Sequence, residues 1–119
     1  MNPKIKRRWL QALRSGKYTQ GKNVLHKIKS DEYCCLGVLC EIAVKDKIIP
    51  PPEVETVRNR RCSSYDEEAR FPSEKVLNWA GLDGDAAQRI AEVNDSSDSF
   101  EEVIPTIHKV TKAGWESAQ

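Results

Sequence analysis

The sequence predicts a mainly α protein: a single small domain of four to five helices around a central cysteine-bearing helix, with scope for a short β-hairpin. Three observations support this reading. Apolar residues recur at helical spacing in five stretches; residues suited to helix caps stand at several of their ends; and 119 residues, 39% apolar and 31% charged, suffice to close one core without metal or disulfide staples.

Over residues 3–15, Ile5, Trp9, Leu10, Ala12 and Leu13 form an apolar stripe between Arg7, Arg8, Gln11 and Arg14. Asn2 can cap this helix, Pro3 suits its first turn, and Gly16 can end it. Residues 17–32 are polar and broken by Gly21, which predicts a loop or a short strand. Residues 33–46 are the most apolar, with Leu36, Leu39, Cys40, Ala43 and Val44 on one helical side, and form the expected central helix. Gly37 within it costs roughly 1 kcal/mol relative to Ala, so close backbone packing or a ligand approaching there is expected.

Pro50, Pro51 and Pro52 stop that helix, and residues 59–64 carry no apolar period, so a long surface connection is expected at about 48–70. Phe71 and Pro72 open a short helix with Val76, Leu77, Trp79 and Ala80 inward and Gly81 as its stop. Asp83 or Asp85 caps a helix ending near Val93, after which Asn94, Asp95 and Ser96 are expected to form a turn. Ser99 and Glu102 have the spacing of a capping box for a last helix running to Gly114, kinked or delayed at Pro105.

No stretch approaches the length of apolar sequence that a membrane span needs, and the basic N-terminus is not followed by an apolar leader, so the protein is expected in the cytoplasm. In a reducing cytosol Cys34, Cys35, Cys40 and Cys62 are read as free thiols. The net charge of +1 hides a separation along the chain: residues 1–30 hold nine bases and no acid, whereas residues 62–119 hold twelve acids and five bases. Either the ends form faces of opposite sign or they lie side by side and neutralise each other.

Four constellations could carry chemistry. A thiolate at Cys34 or Cys35 would gain from a helix N-terminus and could act as a hydrolase or transferase nucleophile, with His26 or His108 as base and Asn94 or Asp95 to orient it. The alternative is that cysteines in an apolar run are small buried hydrophobes. The four cysteines with His26 could be imagined as a zinc site, but three thiols share one apolar segment with no second pair, so no metal is expected. Lys4, Arg7, Arg8, Arg14, Lys17 and Lys22 could contact nucleic-acid phosphates, with Tyr18 or Trp9 to stack, although a solvated helix face looks the same. The acids Asp95, Asp98, Glu101 and Glu102 could face a basic protein or simply be solvated. No phosphate-binding loop, dinucleotide fingerprint or paired-carboxylate motif is present, and no cofactor is expected.

A wider pattern runs through Trp9, Ala12, Leu13, Arg14, Ser15, Gly16, Tyr18, Gln20, Gly21 and Leu25, then the segment Tyr33, Cys34, Cys35, Leu36, Gly37, Val38, Leu39 and Cys40. It continues through Phe71, Pro72, Val76, Trp79, Ala80, Gly81 and Leu82, and through Asn94, Asp95, Ser99 and Phe100. This pattern resembles a family of small proteins of unknown activity from tailed bacteriophages and prophages, and only residues 45–70 have no counterpart in it. The resemblance implies a viral protein expressed inside a bacterium and supplies no catalytic residues. By analogy, such accessory proteins bind a host enzyme, a defence protein or a signalling nucleotide.

The expectation is therefore a non-enzymatic binder of a host protein or a small anionic ligand. Its site is placed at Arg14, Tyr18, Gln20, Gly21 and Cys34, because an Arg, a Tyr and a Gln beside a Gly suit a polar anion. The alternative is that these side chains satisfy the backbone where the first helix ends. Nucleic-acid binding through the basic N-terminal third stands beside it, and no membrane partner is expected.

Overall fold

The computed structural model describes residues 1–111 of the protein. Within them lie helices α1 (Pro3–Arg14), α2 (Cys35–Lys45), α3 (Glu74–Ala80), α4 (Gly84–Asp95) and α5 (Phe100–Val110), and strands β1 (Thr19–Gln20), β2 (His26–Lys27), β3 (Glu32–Tyr33), β4 (Glu53–Val57) and β5 (Arg60–Ser64). The strands form one mixed sheet in the order β1-β3-β2-β5-β4, with β1 parallel to β3 and the other pairs antiparallel. The helical part matches the sequence expectation, but the sheet is larger than a short hairpin.

Helix α1 forms as its sequence dictates. The Asn2 side chain accepts from the backbone N–H groups of Lys4 (2.9 Å) and Ile5 (3.1 Å), and Pro3 occupies the first turn without wasting a donor. Ile5, Trp9, Leu10 and Leu13 are buried along its stripe. Trp9 is fully enclosed, and its indole N–H donates to the Cys35 carbonyl at 2.8 Å, which fastens α1 to the start of α2. Trp9 is therefore a core residue, which corrects its nomination as a stacking platform.

Helix α2 is the centre of the core: its residues from Cys35 to Cys40 are all buried. Gly37 is the point of closest approach. A Cβ there would overlap the Leu25 carbonyl oxygen and stand 2.8 Å from its carbon, so only glycine lets the 21–25 segment cross the first turn of α2. The Leu25 carbonyl also accepts from the Cys34 N–H at 3.1 Å. Of the two explanations offered for Gly37, close backbone packing is the one realised.

The long surface connection expected at 48–70 is instead a β-hairpin, β4 and β5, joined at Arg58 and Asn59 and paired in register from Glu53↔Ser64 to Val57↔Arg60. Both turn residues have positive φ, +49° and +65°, the sense of twist that matches a two-residue hairpin turn. Cys62, Ser63 and Ser64 are buried on β5, whereas β4 is exposed over residues 53–56 and half-buried at Val57.

Two further boundaries differ from expectation. Helix α3 starts after Ser73, whose Oγ accepts from the Val76 N–H at 3.3 Å, so Phe71 and Pro72 lead into it rather than opening it. Helix α4 continues through Asp95, and Asn94 lies inside its last turn with no exposed surface, not in a surface turn. Helix α5 runs through Pro105 from Phe100. Its expected capping box is altered: Ser99 makes no side-chain cap, and Glu102 Oε2 accepts from the Asp98 N–H at 3.0 Å. The expected end at Gly114 lies outside the described residues. No helix among the described residues is long and apolar enough to cross a membrane.

Candidate functional site

The motif residues converge on Asn94. Its Oδ1 accepts from the backbone N–H of Cys35 (3.2 Å) and from Gln20 Nε2 (3.3 Å), and its Nδ2 donates to the Gly21 carbonyl (2.9 Å). Gln20 Nε2 also donates to the carbonyls of Asn94 (3.0 Å) and Ser97 (3.3 Å). A helix start needs acceptors for its first N–H groups, and the Cys34 thiol forms no cap; Asn94 provides that acceptor from a distant helix. Gln20, Gly21, Cys34, Cys35 and Asn94 thus form a buried polar knot joining β1, α2 and α4.

Of the five residues proposed from sequence as a ligand site, Gln20, Gly21 and Cys34 belong to this knot or its edge, and Cys34 is only 4% exposed. Arg14 lies apart, 3.9 Å from Glu101 on α5. Tyr18 lines a separate hollow of about 280 Å³ with Arg8, Lys17 and Lys45, and packs edge-on against Tyr33 at 5.0 Å. The five do not form one surface.

The cysteines are free and buried. The hydrogen bond from the Cys35 thiol holds Cys34 below the usual thiol range, whereas burial pushes Cys35 and Cys40 well above it. Among the described residues no three metal-ligating side chains come together. His26, nominated as a base for the thiols, is engaged elsewhere: Nδ1 lies 2.7 Å from Ser63 Oγ, Nε2 lies 2.8 Å from Asp31 Oδ1, and the ring stacks on Tyr33 at 4.0 Å. This Ser–His–Asp line inverts the accessibility that catalysis requires. The serine is 6% exposed and the carboxylate side chain 77% exposed, so the imidazole locks β2 to β5 and to its own turn. His108 is exposed on α5.

The open, strongly charged feature is elsewhere, beyond the C-terminal end of β2, where the chain parts from β5. Antiparallel pairing of Lys27 with Cys62 extends one residue further, the Ile28 N–H donating to the Arg61 carbonyl at 3.1 Å, and would continue by laying residues 29–30 beside residues 59–60. The chain instead turns away at Asp31, with φ +52° and its N–H donating to the Ile28 carbonyl at 3.2 Å. The divergence leaves a groove of about 920 Å³ lined by Lys27, Lys29, Ser30, Asn59, Arg60 and Arg61. Lys27 and Arg60 also line an adjoining hollow of about 300 Å³ floored by Cys62. That hollow shares Asn23, Val24, Val57 and Arg58 with a third of about 210 Å³, which reaches Arg70 and Asp95.

The three hollows adjoin one another through shared lining residues and together, as a furrow, carry six cations and one carboxylate on their walls. That carboxylate, Asp95, accepts from the Asn23 N–H at 3.0 Å. None of Lys27, Lys29, Arg58, Arg60, Arg61 and Arg70 forms an ion pair with another described residue. Three of the N-terminal cations, Arg8, Arg14 and Lys22, behave differently. Arg8 is held by Asp46 through a two-pronged contact at 2.7 and 2.9 Å, Arg14 lies 3.9 Å from Glu101, and Lys22 lies 3.9 Å from Asp98. The basic and acidic ends of the chain therefore partly neutralise each other. Sequence reasoning noticed Lys27 and Lys29 only as part of the basic third and missed Arg58, Arg60, Arg61 and Arg70. The available signal was the alternation of Val54, Thr56 and Val57 with acids before a two-residue break at Arg58 and Asn59.

Comparison with curated proteins and with solved structures finds no match. Residues 1–111 match the family described as Domain of unknown function (DUF8296), and the chain belongs to that family.

Proposed function

We propose that the protein binds nucleic acid, holding the phosphate backbone in the furrow between the β2–β3 turn and the β4–β5 hairpin. The observation that carries this reading is the group of six cations without ion-pair partners among the described residues, contributed by three separate segments to three adjoining hollows. Like charges brought together repel in the free protein, and a polyanion that enters the furrow relieves that repulsion while releasing its own counterions. This keeps the binding role expected from sequence and moves the contact from the first helix to the sheet. If the phage-type resemblance holds, the ligand is phage or host nucleic acid.

The test is fluorescence anisotropy with a labelled 20-base-pair DNA duplex at physiological salt. The wild type binds in the range usual for non-specific contact, with Kd of about 1–100 μM. Lys27→Ala with Arg60→Ala weakens binding at least about ten-fold, whereas Lys4→Ala with Arg7→Ala on the exposed side of α1 changes it less than about two-fold. Equal losses from the two pairs, or binding to polyglutamate as strong as to DNA, would overturn the proposal.

A further inference from the structure

We infer that the tip of the β4–β5 hairpin enters the major groove of B-form DNA, with Arg58, Asn59 and Arg60 facing base edges while Lys27 and Lys29 hold the flanking phosphates; this rests on the nucleic-acid reading above. The first support is a residue that folding does not explain. Position 58 is the first central residue of a two-residue turn and has φ +49°, where Gly, Asn or Asp is favoured and a long L side chain is disfavoured. The guanidinium of Arg58 makes no hydrogen bond or ion pair with a described residue that would offset this. Lys47 and Glu67 also take positive φ, +60° and +71°, so what sets Arg58 apart is its place at the hairpin tip beside Asn59 and Arg60, with its head unoccupied by any described residue.

The second support is the shape and polarity of the hairpin. Beyond Arg61, whose carbonyl accepts from the Ile28 N–H at 3.1 Å, the end of the hairpin over residues 57–60 is two-stranded, and the width of such a ribbon suits a major groove of about 12 Å. Its charges are ordered along its length: Arg58, Arg60 and Arg61 stand at the tip, whereas Glu53 and Glu55 stand toward the base of β4. Phosphates attract the first set and repel the second, so the ribbon enters tip first. The tip carries the side chains suited to major-groove readout, since Arg pairs with the O6 and N7 of guanine and Asn with the N6 and N7 of adenine. The major groove of A-form RNA is too deep and narrow for such entry, so duplex DNA is the ligand class.

The experiment compares DNA and RNA duplexes of one sequence by anisotropy at one salt concentration, for the wild type, Arg58→Gly and Lys27→Ala with Lys29→Ala. The wild type is expected to prefer DNA by about ten-fold or more, the value of one two-pronged base contact. Arg58→Gly relieves the turn, so its unfolding temperature is equal to or above the wild type's, yet it loses about ten-fold in DNA affinity and most of the preference over RNA. The lysine pair weakens DNA and RNA alike. If Arg58→Gly binds DNA like the wild type while the lysine pair still weakens both duplexes, groove entry is overturned and phosphate binding survives. If the wild type binds neither duplex, both fall.

Discussion

Replacing Asn94 by Ala removes the centre of the buried polar knot. The Cys35 N–H loses its acceptor at 3.2 Å and the Gly21 carbonyl loses its donor at 2.9 Å, in a place where Asn94 has no exposed surface and water cannot substitute. An orphaned buried polar group costs about 1–3 kcal/mol, so the two together, with the small void, cost about 3–5 kcal/mol. A domain of this size has a total stability of about 5–15 kcal/mol, so the loss is a large part of it. With a urea dependence of about 2 kcal/mol per molar, the unfolding midpoint falls by about 2 M, followed by tryptophan fluorescence with Trp9 as core reporter. Asn94→Asp is no better at neutral pH, because it sets a carboxylate oxygen against the Gly21 carbonyl and beside Asp95. Gln20→Ala is milder, at about 1 kcal/mol, since its amide is only half-buried. A midpoint shift under about 0.5 M for Asn94→Ala would refute the view that this side chain holds α2, α4 and β1 together.

The other expectations concern parts of the molecule that the knot supports. Gly37→Ala collides with the Leu25 backbone and destabilises by more than about 3 kcal/mol; circular dichroism showing a fold as stable as the wild type would contradict the close crossing. In the native state Cys34, Cys35 and Cys40 react with iodoacetamide no faster than the protein unfolds, and rapid labelling of Cys34 would reveal an open cleft instead of a closed core. The Arg8 hydrogen bonds hold the Asp46 carboxyl below its ordinary 3.8, so the stability from this pair is present above that pH and is lost as pH falls through the depressed value. Because both side chains are substantially exposed, Asp46→Asn costs less than about 1 kcal/mol at pH 7 and converges with the wild type in acid; a pH-independent difference would contradict the pairing.

The helices were legible because each announces itself over two or more turns. Asn2 and Pro3 mark the start of α1, Gly81 closes α3, and the stripes of α1 and α5 are long enough to establish a period. The sheet was not legible for a matching reason: β1, β2 and β3 have two residues each, too few for alternation to show, and they are specified by contacts such as Gly21 N–H to the Tyr33 carbonyl, at 2.7 Å. The hairpin was obscured by the three prolines before it and by a turn with Arg where glycine or asparagine is the usual signal. The pattern of Gln20, Gly21, Cys34, Cys35 and Asn94 stood out in the sequence, but it marks where distant segments are tied together. The furrow was hidden because its cations come from residues 27–29 and 58–70, which become neighbours only when β2 pairs with β5.

The most direct measurement is the affinity of the wild-type protein for a DNA duplex as sodium chloride is raised from 50 to 200 mM. Four to six cations engaging phosphates, four when Arg58 and Arg60 reach base edges, give a slope of log affinity against log salt of about −4 to −5, a loss of about two hundred- to a thousand-fold over that range. A slope no steeper than about −1, or no binding at 50 mM, would contradict a furrow built to hold phosphates.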